Sequence, residues 1–441
     1  MSIPVAPTDV STPQEALLAL FPPGTVLGRD GELVIGGCPV TDLAERFGTP
    51  ALIIDEKALR ARARRYADGL AARWENSRVA FASKAFPCTA VYRLLAEEGL
   101  SIDVAGGGEM ALALAGGVDP ASLVVHGNAK TDAELRMAVE AGAGLIVIDN
   151  FDDIDRLERI VTGEQPVLVR VTPGIRPDTH AAVSTGQEGS KFGLTLPQAR
   201  EAIARLRGSD RLRLDGVHVH VGSQILDTEP FARAVEAVAD LGTFAVYDLG
   251  GGLGVRYTYD DHPPSVEEYL DTLVDTARKT LPAEAHIIIE PGRSMVAEAG
   301  ATLYRVATVK RGRPTFVGVD GGMGDNLEVA LYGQRFEATV ATRVGGGEPY
   351  DLVGRHCESG DVLSAGVRLR DPRPGDLIAV PVTGAYSFSL SNNYNGALRP
   401  PVVFCRDGEA RAVVRRETYA DLLRRDEPSD RTRQPPLYDV P

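Results

Sequence analysis

Lys84 closes an apolar run, RVAFASKAF over residues 78–86, in which Val79, Ala80, Phe81 and Ala82 carry no charge. A stretch that is apolar throughout reads as a buried strand of a parallel sheet, and a lysine at its end sits where α/β folds keep their chemistry. A desolvated amine sheds its proton readily and attacks carbonyl carbon to form a Schiff base. Taken alone, Lys84 also fits a lysine that merely snorkels from a strand end. Its company argues otherwise. Further apolar runs end in polar groups: Asp103 in SIDV, His126 after LVV, and Arg170 and Thr172 in PVLVRVT. His218, His220, Ser223 and Gln224 follow in HVHVGSQ, then Asp248 before Gly250, Gly251 and Gly252 in DLGGGLG. The last run, HIIIEPGR, delivers Glu290, Gly292 and Arg293.

These residue types suit one ligand. Consecutive glycines let backbone N–H groups cradle a phosphate, with Ser223 adding a hydroxyl. On its own GGGLG is equally a loop, and it lacks the spacing of a dinucleotide fingerprint. Glu290 ends a short apolar strand, where a buried carboxylate needs a partner. A pyridine nitrogen is such a partner, and a carboxylate that keeps it protonated lets the ring accept electrons from an adjacent carbanion. His220 is placed to lie flat on the other ring face. His218 shares its strand face by alternation and reads as a satisfied core histidine. A lysine for an aldehyde, a carboxylate for a pyridinium, and glycines with an arginine for a phosphate together specify pyridoxal 5′-phosphate (PLP).

Placing groups at so many strand ends requires alternating β and α units. From Val79 onward, strand-like runs recur at 101–104, 123–127, 145–149, 166–171, 215–221, 244–249 and 286–290. Amphipathic helical stretches such as Asp132 to Ala141 and Pro197 to Leu206 lie between them. Eight such units predict a (β/α)8 TIM-type barrel, with a doubly wound sheet as the competing topology. After about Gly300 the texture becomes short, β-rich and punctuated by Gly and Pro, which predicts an all-β domain. The expected division is a barrel over 48–300 and a β domain over 301–427 that the segment 1–47 joins. Residues 428–441, polar and proline-rich, are expected to form a disordered tail.

Composition narrows the partners. The chain of 441 residues exceeds the usual size of a single core and carries 61 acidic against 47 basic residues, a net charge of −14. Nucleic acid and anionic membrane are therefore excluded as main partners. Cys38, Cys88, Cys357 and Cys405 are widely spaced and predict neither a metal site nor a disulfide framework, which fits a reducing cytoplasm. The N-terminus lacks the features of a signal peptide, and no apolar run approaches membrane-spanning length.

Over roughly Val40 to Leu423 the motifs FASKAF, DVAGGGE, VVHGNAK, STGQEGSKFG, HVHVGSQI, DLGGGLGV, EPGRSM, DGGMGDN, LYG, CESGD and SNNYNG follow one another. In that order they resemble the barrel-type PLP-dependent amino acid decarboxylases, most closely the diaminopimelate decarboxylases, with their alanine racemase-like architecture. The resemblance implies that Lys84 holds the cofactor aldehyde and that His220 stacks on its ring. It places Asp103 and His126 around the cofactor and sets Glu290 at the pyridine nitrogen. Ser223, Gly250, Gly251, Gly252, Gly292 and Arg293 would hold its phosphate side. Tyr394 would contact cofactor and substrate, and Arg293, Glu328, Tyr332 and Glu358 would line the substrate site. It implies a homodimer in which Cys357 and Glu358 reach the active site from the β domain of the second subunit. The implied reaction is decarboxylation of meso-diaminopimelate to L-lysine and CO2, a step of lysine biosynthesis. Cys357 is then the natural proton donor, since a thiol exchanges protons near neutrality. A buried small hydrophobe is the plain alternative, against which Glu358, Ser359 and Asp361 speak.

One departure stands out. The family usually shows arginine and proline just before ALYG, the arginine binding the substrate's distal carboxylate, whereas this chain has Glu328 and Val329. Two carboxylates about 4 Å apart repel by roughly 4 kcal/mol at intermediate dielectric, where arginine would attract by as much. Three outcomes are open: Glu328 points away while Arg335 or Arg293 takes over, the substrate has a cationic or neutral distal end (ornithine, lysine, arginine), or a modified substrate binds. A racemase is disfavoured, because barrel racemases place arginine where Glu290 stands. A non-catalytic PLP-binding protein is disfavoured by the complete chemical set.

Overall fold

The computed structural model describes residues 12–175, 186–187 and 189–427. The expected tail and part of STGQEGSKFG lie outside them.

Eight strands close a parallel barrel: β1 (Ser77–Ala82), β2 (Ser101–Val104), β3 (Leu123–Val125), β4 (Leu145–Ile148), β5 (Gln165–Val171), β6 (Leu212–Val219), β7 (Val246–Asp248) and β8 (His286–Ile289). Closure is made by β8 pairing back onto β1, with Ile287 opposite Ser77. Helices cover the outside, and their ends are written in the sequence. The helix Asp132–Ala141, for example, starts on a capping box of Thr131 with Glu134 and ends at Gly142 with φ of 78°.

The barrel's interior explains why chemistry gathers at one end. Ala80, Val124, Leu145, Val147, Leu168 and Ile288 pack as an apolar plug separate from the core between strands and helices. Side chains alternate along a strand, so the next inward positions after Ala80, Val124, Val147, Leu168 and Ile288 are Ala82, His126, Asp149, Arg170 and Glu290. The plug thus seals the floor, and the layer above it is polar.

The second domain is built on Gly300–Lys310, which pairs antiparallel with Ala51–Asp55, Phe316–Val319 and Leu377–Pro381. Val402–Arg406 runs parallel beside Ala51–Asp55. Ala51–Asp55 falls inside the stretch expected to open the barrel at residue 48, yet it belongs to the β sheet, and the barrel begins at Ser77. A fully buried strand pattern does not name its partners. Asp55 then caps the helix Glu56–Ala71 through Ala58 N–H at 3.0 Å, carrying the chain from sheet to barrel. The N-terminal strands Val26–Leu27, Leu33–Ile35 and Cys38–Pro39 form a small sheet of their own. It is tied to the β domain by Leu33 N–H to the Ala341 carbonyl (2.9 Å) and Gly408 N–H to that of Gly36 (3.0 Å). Among the described residues no helix is long and apolar enough to cross a membrane.

Candidate active site

Lys84 sits in a short turn, Ser83–Ala85, directly off β1. It lines a pocket with Asp103, His220, Ser223, Glu290, Arg293 and Tyr386. Its side chain is exposed at the mouth of that pocket. Burial disfavours its charge, but Asp103 and Tyr386 outweigh that and raise the amine above its ordinary pKa. Desolvation, which by itself favours the free amine, is thus opposed here by Asp103 first of all. Asp103 itself is buried, and burial lifts its carboxyl to about 7 against the pull of His126.

Glu290 is held on both carboxylate oxygens. Its Oε1 lies 2.6 Å from His126 Nε2 and its Oε2 lies 3.1 Å from His218 Nε2, with all three residues buried. Burial works against its charge, yet the two histidines hold the carboxyl well below the usual carboxylate range. His126 points at Glu290 and does not itself line the pocket. His218 is satisfied and buried, as expected, but its partner makes it part of the site. Burial takes its pKa down to about 3.

His220 follows β6, and its Nδ1 accepts the Gly251 N–H at 3.2 Å. Burial and the neighbouring Lys84 hold the imidazole well below its ordinary pKa, so it is neutral. The glycine turn is shaped by close backbone packing. A Cβ on Gly251 would lie 2.0 Å from the Glu290 carbonyl oxygen, and one on Gly250, with φ of 64°, would lie 2.3 Å from that of Val219. At the pocket's other end Arg293 Nε donates to Ser223 Oγ at 3.2 Å. Gly292 approaches β1 closely enough that a Cβ would lie 3.0 Å from that of Ala82. The set fits PLP by its chemistry: an amine, an ionised glutamate, a neutral imidazole, and a hydroxyl with a guanidinium.

The β domain supplies two different groups. Glu328 lies in the short helix Glu328–Tyr332 and points inward, 1 % exposed, with Oε1 accepting from Arg293 Nη1 at 2.7 Å. Burial pushes its carboxyl above the usual range, with Arg293 pulling the other way. Tyr257 hydrogen-bonds the same Nη1, and the guanidinium lies 4.6 Å from the Tyr386 ring centroid. Burial opposes the Arg293 charge, but Tyr257 and Glu328 more than restore it. Tyr332 is half-buried, and burial followed by the nearby Glu328 raises its hydroxyl's pKa. Arg335 is 72 % exposed in its side chain and pairs with Asp260 at 3.5 Å, so it does not take over from Glu328.

Cys357, Glu358 and Tyr394 are exposed and form a separate corner. Cys357 N–H donates to Asn395 Oδ1 at 2.8 Å, and Tyr394 stacks on buried His356 at 5.7 Å between centroids. None of the three lines the Lys84 pocket of its own chain.

Sequence reasoning missed Tyr257 and Tyr386, which lie in loops outside the motifs, Tyr257 two residues past DLGGGLGV. Tyr386 has φ of 61° and holds the Ala85 carbonyl through its N–H at 2.8 Å, a strained position against the Lys84 turn. Arg170 was visible as a strand-end residue but not placed in the site. It is buried, 3.7 Å from Asp149, with its guanidinium 4.5 Å from the Phe192 ring centroid.

Similarity to known proteins extends over most of the chain. The pyridoxal-dependent decarboxylase family, through its pyridoxal binding domain, matches residues 56–297. The chain is 48% identical over 424 residues to a diaminopimelate decarboxylase of Actinosynnema pretiosum subsp. auranticum, covering 92% of this chain and 95% of that one. It is 43% identical to that of Bacillus subtilis, with 91% and 96% covered. Among solved structures, the diaminopimelate decarboxylase of M. jannaschii in complex with L-lysine superposes with a TM-score of 0.86 at 30% identity, over 92% of this chain and 98% of that one.

Proposed function

The chain belongs to the pyridoxal-dependent decarboxylase family, in its diaminopimelate decarboxylase branch, and from that premise we propose that it converts meso-diaminopimelate to L-lysine and CO2. The observation that carries the chemistry is Glu290, ionised and held on both oxygens by His126 and His218, in the same pocket as Lys84. When bound, PLP supplies an aldehyde that joins amines and a ring that takes up the electron pair left by departing CO2.

The protein's residues do the rest. Lys84 provides the amine that holds the cofactor, and Asp103 sets its protonation. Glu290 keeps a proton at the pyridine nitrogen, because its own proton affinity is far too low to withdraw it. His220, neutral and fixed by the Gly251 N–H, gives the ring a flat, uncharged neighbour. Ser223 and Arg293 offer donors to phosphate or carboxylate oxygens. Cys357, with Glu358 and Tyr394 beside it, is the proton donor at the reacting carbon and acts from a second copy of the chain. Its exposure on a corner away from its own pocket supports a homodimer with shared sites. A cytoplasmic location is part of this reading, supported by four cysteines none of which is in a disulfide.

The test is CO2 release from a panel of amino acids by the PLP-loaded enzyme. Formation of L-lysine from meso-diaminopimelate is expected. No turnover of that compound, with turnover of another amino acid, would retire the substrate while leaving the chemistry intact.

A further inference from the structure

Glu328 is the one group in the site whose charge is opposite to what the motif around it leads one to expect. The structure does not turn it away. It is buried against Arg293 with Oε1 at 2.7 Å and has the Tyr257 hydroxyl beside its carboxylate, while its Oε2, equally buried, makes no hydrogen bond among the described residues. Arg293 is meanwhile committed to Glu328, Tyr257 and Ser223. Two physical consequences follow. The guanidinium is neutralised inside the chain, so it attracts a second carboxylate weakly. The unpartnered oxygen of a buried carboxylate is costly until a donor meets it, and a ligand's N–H is the donor that would remove the cost.

We propose that Glu328 is a specificity-determining residue: its carboxylate, anchored on Arg293, accepts a hydrogen bond from the ammonium at the substrate's distal end. This rests on the decarboxylase reading above and refines its substrate class. The site recognises diamino acids through the far nitrogen and draws little from a far carboxylate. A diamino dicarboxylate such as meso-diaminopimelate therefore competes with diamino monocarboxylates such as lysine and ornithine far less one-sidedly than an arginine at this position would permit.

The experiment compares PLP-loaded wild type with Glu328→Gln, Glu328→Asp and Glu328→Arg. For each, kcat and KM are measured with meso-diaminopimelate, D- and L-lysine and ornithine. Equilibrium binding of cadaverine, which has two amines and no carboxylate, is measured alongside. Wild type is expected to bind cadaverine. Glu328→Gln should weaken it about tenfold or more, and Glu328→Asp should lose less, since an isolated charge-assisted hydrogen bond accounts for about that much. Glu328→Arg should raise the preference for meso-diaminopimelate over lysine by about a hundredfold, mainly through KM. A preference that stays within about twofold in every variant, or an equal fall for all substrates with cadaverine binding unmoved, would overturn the inference and leave Glu328 as a structural mate of Arg293. If wild type turns over none of these compounds, the decarboxylase reading fails. The cadaverine comparison still decides the role of Glu328, because it needs no turnover and does not rely on the arginine variant folding.

Discussion

Two buried glutamates, Glu290 lining the Lys84 pocket and Glu328 reaching it through Arg293, are treated in opposite ways. Glu290, on the barrel floor, has a histidine on each oxygen and a carboxyl held well below its ordinary pKa. Glu328, on the wall supplied by the β domain, has one oxygen on Arg293, one without a partner, and a carboxyl pushed up by burial. The floor is complete within one chain. The wall is half-built, and the exposed corner of Cys357 and Tyr394 does not line the Lys84 pocket of its own chain. In the proposed reaction the barrel fixes the electronic part, and the β domain decides what is bound and where the proton arrives.

The largest effect that would break this division is at Lys84. Lys84→Ala should abolish the yellow colour of the lysine-bound cofactor and, with it, turnover. A variant that stays yellow and active would remove the amine from its assigned role. Next comes the floor. Glu290→Gln should bind PLP yet lower kcat by about 10²–10³, the usual loss when a charge-stabilising group is removed. Rates within a fewfold of wild type would show that the ring needs no carboxylate here.

Cys357→Ala should keep the cofactor and lose about 10²–10⁴ in rate, as expected for a lost proton donor. Mixing and reassociating the two inactive proteins Lys84→Ala and Cys357→Ala sharpens the comparison. If sites are shared across a twofold dimer, mixed dimers carry one intact site and about a quarter of full activity returns. No recovery after confirmed exchange of subunits would place floor and corner in a single chain.

The smallest effects concern pH and stability. Glu290's folded pKa is depressed, so its ionisation stabilises the protein above its unfolded value near 4.3 and that contribution is lost as pH falls through the folded value. Acid should accordingly cost wild type more stability below about pH 4 than it costs Glu290→Gln. Asp103 runs the other way. Its pKa is raised to about 7, so its contribution is full below about pH 3.9 and lost as pH rises through the folded value. Asp103→Asn should therefore gain Tm relative to wild type at pH 8, by about 1–3 °C, and show little gain at pH 5. Scanning calorimetry below pH 4 checks the first, and at pH 5 and pH 8 the second.

Much of the floor was legible in the sequence because barrel chemistry is local. Each group sits at the end of its own apolar run, and Lys84, His220 and Glu290 need only strand alternation to be placed at one face. The partners were harder. That His218 serves Glu290 depends on β6 and β8 closing around a common axis, which a strand pattern cannot state. Tyr257 and Tyr386 reach Arg293 from loops whose sequences carry no periodicity. In the β domain, Glu348–Val353, Val362–Leu369 and Glu409–Val414 escaped notice because these strands are half exposed and mix charges with apolar residues. The charge at Glu328 was plain to read, but its direction was not: only the fold shows it turned onto Arg293.

The most direct test of the central claim is chemical trapping. Borohydride reduction of the PLP-loaded protein, followed by peptide mapping, should find one pyridoxyl group per chain, on Lys84. A colourless protein, no modified peptide, or a label on a different lysine would contradict the account.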